Sequence, residues 1–331
     1  MLHPKGRSRS VYKTDKPIRH MQNHPKILVA VDGSTASLNA VQHSGHMFSK
    51  QSRMVLFHVL AEIPEAFKDL DVQRFVDAPE FHLDAWKADC TASINDFMEV
   101  AHAVLMDAGF EPPAVEVKVQ GLKSGIARDI YHESQRGYAA LVVGRTGLNK
   151  IDDITMGSVA AKLVDVSAHI PIIVVGAHPD SKKIIIALDG SKSAMRAVKF
   201  VAALVDPDPC EIVLCHVVRP LSVQHISAKE LFSQKHEKEW IAANQRKMVP
   251  VFIEAKKQLR HAGIAESNLS TEILTYETSR AAAIARAARD GGTDTIAMGR
   301  RGFTSIKTFT LGRVCRKIVH FAFRPALWIV S

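Results

Sequence analysis

The chain repeats itself over half its length. Gly144, Gly147 and Gly157 recur as Gly299, Gly302 and Gly312, each 155 residues further on. Asp32-Gly33-Ser34 returns as Asp189-Gly190-Ser191, His58-Val59 as His216-Val217, Trp86 as Trp240 and Ala108-Gly109 as Ala262-Gly263, at offsets between 154 and 158. A unit of this length is no solenoid repeat, because about 150 residues can close a core of their own. The spacing therefore predicts two globular domains of one ancestry, at residues 26–178 and 179–331, behind a tail of residues 1–25.

Each copy alternates short apolar runs with stretches of helical spacing. In the first, residues 26–32, 54–60, 115–119, 141–144 and 170–176 read as strands. The run KILVAVD at residues 26–32 is continuously apolar, which suits a strand buried on both faces of a parallel sheet. Ser34 is a natural N-cap for a helix through Ala36, Ala40 and Met47. Pro79 fits the first turn of a long helix whose stripe Leu83, Trp86, Cys90, Ile94, Phe97, Ala101, Val104 predicts a core face, and residues 124–134 read as another helix. In the second copy, residues 184–189, 211–218, 269–275, 293–299 and 326–331 are the matching strands. Pro250 interrupts the helical stretch 227–262 and predicts a kink or break close to Val249. The alternation argues for an α/β fold with doubly wound parallel sheets. The last strand of each copy would be an exposed apolar edge, so segments 170–176 and 325–331 are expected to cover one another about a pseudo-twofold axis.

Chemistry concentrates where strand four meets the next helix. The spacing G-x2-G-x9-G-S at Gly144, Gly147, Gly157 and Ser158 places a glycine loop before a helix start, where unpaired N–H groups and the helix dipole favour an anion. Glycine is expected there for positive φ and for close approach of a ligand to the backbone. Asp32 and Asp189 end the first strand of each copy, the end at which open α/β sheets bind ligands; the competing role is a turn cap. His58 and His216 are the acid/base candidates by residue type, although a structural place at a strand end suits them better. Asp152-Asp153 in the loop would repel phosphate unless a divalent ion bridged them; as solvated residues they need no ion.

Composition narrows the classes. No apolar run is long enough to span a bilayer, no apolar core marks a secretory leader, and the four cysteines form no metal-ligand pair, which together suggest a reducing cytoplasm. The net charge of +9 is mostly tail: Lys5, Arg7, Arg9, Lys13, Lys16, Arg19 and Lys26 stand against Asp15 alone. That distribution fits a solvated extension better than a nucleic-acid or membrane arm.

Taken together, Asp32/Asp189, His58-Val59/His216-Val217 and the glycine motif resemble a tandem universal stress protein of the ATP-binding branch, from Lys26 to Ser331. The resemblance implies five-stranded Rossmann-like sheets in the order 3-2-1-4-5 and a nucleotide, ATP with or without Mg2+, held by Asp32, Val59, Val143, Gly144, Gly147, Gly157, Ser158 and Val159. The corresponding residues of the second copy are Asp189, Val217, Met298, Gly299, Gly302, Gly312 and Arg313. Arg313 departs from the motif, which has Ser or Thr there: it either reaches a phosphate directly, helped by Arg300 and Arg301, or fills the phosphate site and leaves the copy degenerate. No Walker lysine follows the glycines and no nucleophile has an obvious base, so no catalytic or metal-ligating residue is assigned. The expected role is a cytoplasmic, ATP-binding stress-response or regulatory protein whose two domains pair and which could dimerise further. The alternatives are a nucleotide-free scaffold for protein partners and a slow Mg-dependent ATPase.

Overall fold

A computed structural model describes residues 24–61, 83–148, 156–176, 181–221, 233–302 and 311–331. Its first half runs β1 (Lys26–Ala30), α1 (Thr35–Met47), β2 (Arg53–Leu60), α2 (Leu83–Asp107), β3 (Val115–Gly121), α3 (Ile126–Ser134), β4 (Ala140–Gly144), α4 (Ser158–Val166) and β5 (Ile172–Val175). The second repeats the order as β6 (Lys183–Ala187), α5 (Lys192–Leu204), β7 (Glu211–Val217), α6 (Gln234–His261), β8 (Leu269–Leu274), α7 (Arg280–Asp290), β9 (Thr295–Gly299), α8 (Arg313–Phe321) and β10 (Ala326–Val330). Ser34 caps α1 as expected, its side chain accepting the Ser37 N–H, and Ser191 caps α5 in the same way.

Each half forms the parallel order third, second, first, fourth, fifth, but the two sheets are not separate. They join as one ten-stranded sheet, β3-β2-β1-β4-β5-β10-β9-β6-β7-β8. The join is the antiparallel pairing of β5 with β10, in the register Ile172 to Ile329, Ile173 to Trp328 and Val174 to Leu327. Two apolar edges thus remove each other's unpaired N–H and C=O groups, as the hydrophobic end segments suggested.

Side chains alternate across the sheet, so the chain builds two cores. Val29, Leu56, Ile173, Ile186, Leu214 and Trp328 belong to one cluster. Leu28, Phe57, Val143, Ile185 and Leu327 belong to the other. Both run through the β5–β10 seam. On the first face Trp328 is fully buried, 5.5 Å from Phe48 and 5.7 Å from Phe200 between ring centres. Its indole N–H donates to His43 Nε2 at 3.0 Å. The ends of α1 and α5 meet beside it, where Ser49 N–H donates to Leu204 O (2.8 Å) and Asp206 N–H to Met47 O (2.9 Å).

Two helix expectations need correction. Along α2 the fully buried line is Ile94, Met98, Ala101 and Leu105, while Trp86, Cys90, Phe97 and Val104 are only partly covered. Only the C-terminal part of the stripe packs deeply, and a three-or-four step read from sequence can settle one residue off the true contact line. Of the kink or break expected at Pro250, the break does not occur, because α6 continues from Gln234 to His261 with the proline inside it. Pro250 and Arg246, whose carbonyl loses its bond, are both exposed, so water can satisfy that carbonyl. The Pro79 and Asp152-Asp153 expectations, and the tail up to residue 23, lie outside the described residues.

Burial, with a smaller push from His46, lowers the His43 pKa from 6.5 to about 3, which keeps Nε2 a free acceptor for Trp328. The unfolded chain binds that proton below pH 6.5 and the folded chain only near 3, so this contribution is full above pH 6.5 and drains away as pH falls. Urea unfolding at pH 7, 5.5 and 4.5 should show a steeper acid loss in wild type than in His43→Leu. Equal slopes would remove His43 from the account.

Candidate functional site

Asp32 lies just beyond β1, in a turn that Gly33 makes possible with φ +85°. One carboxylate oxygen accepts the Ser34 N–H (3.0 Å) and hydroxyl (2.5 Å), and Ser34 in turn accepts the Ser37 N–H (3.1 Å). The cap thus engages one oxygen and leaves the other facing the glycine loop. Oδ2 points to the glycine loop, so close that a Cβ on Gly147 would stand 2.7 Å from it. Asp189 repeats the arrangement: Oδ1 accepts the Ser191 N–H (2.9 Å), and Oδ2 lies 2.5 Å from the Cβ position of Gly302.

Positive φ, one of the two reasons expected for glycine in these loops, does not hold. Gly144, Gly147, Gly157, Gly299, Gly302 and Gly312 are absent from the left-handed region. At Gly144, Gly147, Gly299 and Gly302 what excludes a side chain is crowding, whereas a Cβ at Gly157 would meet nothing closer than 3.4 Å. A Cβ on Gly144 would sit 2.7 Å from the Ala36 carbonyl carbon and 3.0 Å from Ser37 N, and one on Gly299 would meet Ser193 C at 2.6 Å. The first glycine therefore lets the end of the fourth strand slide beneath the opening turn of α1 or α5. Gly157 and Gly312 donate their N–H to Arg145 O (2.8 Å) and Arg300 O (2.9 Å), which closes each loop.

The next helices start uncapped by any side chain. The N–H groups of Ser158, Val159 and Ala160 find no acceptor among the described residues. Together with the helix dipole they form a patch of positive potential near the Asp32–Gly147 contact. Ser158 is exposed, Val159 half-buried, and the side chains of Val59 and Val143 belong to the core, so those two can offer a ligand only main chain. Val217 and Met298 are buried in the same way in the second half.

His58 is a strand-end histidine. Its Nδ1–H donates to Val31 O (2.8 Å), and His216 does the same to Leu188 O (2.7 Å). Burial lowers both pKa values, outweighing the carbonyl bond and the nearby aspartate that would raise them. Each ring ties the second strand to the end of the first.

Arg145 and Arg300 carry a role the sequence reading missed. Arg145, 4% exposed, crosses the seam and donates through Nη1 to Ala322 O (3.0 Å) and through Nη2 to Val319 O, at the C-terminal end of α8. Arg300, 1% exposed, makes the reciprocal crossing to Val164 O, Asp165 O (3.1 Å) and Ser167 O (3.4 Å), at the end of α4. Each guanidinium meets the negative end of a helix dipole and takes up carbonyls the helix leaves unpaired. Burial lowers the Arg145 pKa to about 10, still charged at neutral pH. Arg300 is thus engaged across the seam, which corrects the expectation that it assists Arg313 at a phosphate. The available signal was the shared Gly-Arg pair, Gly144-Arg145 and Gly299-Arg300.

Comparison with known proteins places this architecture. The Universal stress protein family profile matches residues 24–176 and again 181–329. The chain belongs to the universal stress protein family. A universal stress protein from Archaeoglobus fulgidus DSM 4304 is 18% identical with a TM-score of 0.56, over 92% of this chain and 98% of that one. A functionally unknown protein from Pseudomonas aeruginosa PAO1 is 13% identical with a TM-score of 0.53, over 95% and 94%. A putative universal stress protein from Pseudomonas aeruginosa UCBPP-PA14 is 14% identical with a TM-score of 0.50, over 94% of each chain. At these identities the likeness is one of fold. No curated protein matches the chain.

Replacing Arg145 or Arg300 with Met leaves helix-end carbonyls buried and unpaired, a loss of roughly 2–4 kcal/mol for several charge-assisted bonds. Thermal unfolding should show both variants lowered, in one transition spanning both halves. A variant as stable as wild type would mean that the exchange carries no net stability.

Proposed function

We propose that the first half binds an adenine nucleotide, ATP, and that the protein acts in the cytoplasm as a nucleotide-dependent stress or regulatory protein of its family. The observation that carries this reading is the convergence of Asp32 Oδ2, the crowded loop at Gly147 and the uncapped start of α4 at one end of the sheet. Carboxylate and helix start suit different parts of one ligand: the N–H groups favour a phosphate, and a carboxylate favours a hydroxyl or amino group. In this reading Gly144, Gly147, Gly157, Ser158 and Val159 surround the phosphates, while Asp32 and the main chain of Val59 and Val143 hold the remainder. Mg2+, where used, would neutralise phosphate charge, since the first loop's described residues supply only Arg145, and that side chain is engaged across the seam. His58 gives its Nδ1–H to Val31 O and so ties β2 to the end of β1, with Nε2 left as the ring's acceptor. Binding and release, rather than turnover, are the proposed activity.

The test is the nucleotide released from the purified, denatured full chain, for wild type, Gly157→Val and Gly147→Ala. A Cβ at Gly157 would contact Thr146 Cα at 3.4 Å, so the branched valine narrows the loop, and one at Gly147 displaces the Asp32 carboxylate. Near-stoichiometric ATP or ADP in wild type, falling at least about tenfold in both variants, is expected. Absence of nucleotide and of any thermal shift with Mg-ATP would turn the reading to a scaffold. Steady ADP release abolished by Asp32→Ala would turn it to a slow ATPase.

A further inference from the structure

The two cradles have diverged in charge, and the charge gathers on one of them. Thr146, two residues after the first glycine, has Arg301 as its counterpart, and Ser158, which opens the helix after the last glycine, has Arg313. Ala61, three residues past the strand-two histidine, has Arg219, and Ile126, which opens the helix after the third strand, has Arg280. Four neutral positions in the first half are guanidinium groups in the second.

These groups are not scattered over the surface. Arg280 Nε donates to Val217 O (3.4 Å), which pins its guanidinium at the end of β7, level with Asp189. Arg219 and Asp189 both act on Arg280, and burial together with Arg219 lowers the Arg280 pKa despite the aspartate. Arg301 adjoins Gly302, whose Cβ position lies against Asp189 Oδ2, and Arg313 opens the uncapped α8. None of the four forms an ion pair among the described residues. The Nε of Arg219 is buried and meets no acceptor there. One exchange runs the other way, Lys123 to Glu277, but the Glu277 carboxylate is taken by Arg286. Asp189 thus faces Arg280, which in turn faces Arg219, while Arg301 and Arg313 adjoin the two glycines beside that carboxylate, the Gly312 Cβ position lying 3.4 Å from Arg301 Cα; cations gathered around a single carboxylate favour a further anion.

We infer that the second cradle is a site for a polyphosphate chain, held by Arg219, Arg280, Arg301 and Arg313 without a divalent cation. The assignment builds on the cradle reading above for its location and adds the ligand chemistry. Guanidinium groups bind phosphate oxygens through paired N–H donors and supply the charge that a metal ion would otherwise bring. The first cradle has neutral residues at all four positions. The two halves would thus differ in what they bind: the first a nucleotide with its counterion, the second a metal-free phosphate chain. With Arg280 already on the Val217 carbonyl, that main-chain acceptor is occupied in the second half.

Inorganic tripolyphosphate, titrated calorimetrically into the full chain with EDTA at low salt, tests this. Wild type should bind one equivalent, with an affinity that falls as salt rises. The double variant Arg280→Gln, Arg313→Ser should bind at least about tenfold more weakly, and Gly157→Val in the first half should match wild type. Arg301→Thr, which restores the first-half residue, provides a second reading if the double variant unfolds. The inference is overturned if wild type binds nothing without metal, if the arginine variants fold and bind as wild type, or if Gly157→Val alone abolishes binding. Nucleotide retained by the first half is read separately from released ATP, so either assignment can fail without the other.

Discussion

The antiparallel pairing of β5 with β10 is the constraint on which the rest of the structure depends. Each half ends in a short, wholly apolar strand, IIVV or ALWIV, and such an edge exposes backbone groups and hydrophobic surface together. Pairing the edges makes both cores continuous across the halves and brings Trp328 of the second half between Phe48 and His43 of the first. The same docking brings the C-terminal ends of α4 and α8 within reach of Arg300 and Arg145. Because both arginines also lend a carbonyl to close their own glycine loop, each cradle shares a residue with the seam. The site and the inter-domain contact are consequently one piece of structure.

The glycine motif shows how one residue type can be selected by more than a ligand. Gly144 and Gly299 are confined by the first turns of α1 and α5, and Gly147 and Gly302 by the aspartate carboxylate. The described ends of the loop are thus pressed against the start of α1 or α5 by packing alone. Backbone freedom matters instead at Gly33 and Gly190, whose φ of +85° and +82° turn the chain between strand and helix. The motif reads as a phosphate loop in sequence and acts as a packing joint in the fold.

Duplication followed by divergence explains the asymmetry between the halves. The shared elements are those the fold needs: the aspartate that organises the turn, the histidine that ties strand two to strand one, and the seam arginine. The differing ones, Thr146 against Arg301 and Ser158 against Arg313, lie in the loop and at the first residue of the helix that follows it, outside the two cores. Charge can change there without endangering the core, and so ligand preference can drift while the architecture stays.

Much of the fold was legible because its causes are local or periodic. The 155-residue repeat, the continuous apolar strands and the Ser34 cap follow from spacing and side-chain type, and they suffice for the two parallel halves of the sheet and their family. The uninterrupted α6 was not legible, because whether Pro250 breaks a helix depends on whether the carbonyl it frees faces water. Nor could spacing reveal the crowding at Gly144, which arises between residues 108 positions apart in sequence. The destinations of Arg145 and Arg300 were hidden for the same reason. An arginine beside a phosphate motif invites a phosphate assignment, and only the docking of the two halves presents it with a buried helix end instead. Sequence by itself determined the elements, the duplication and the family; tertiary structure decided which charges remain for a ligand, because that depends on which are already used to hold the halves together.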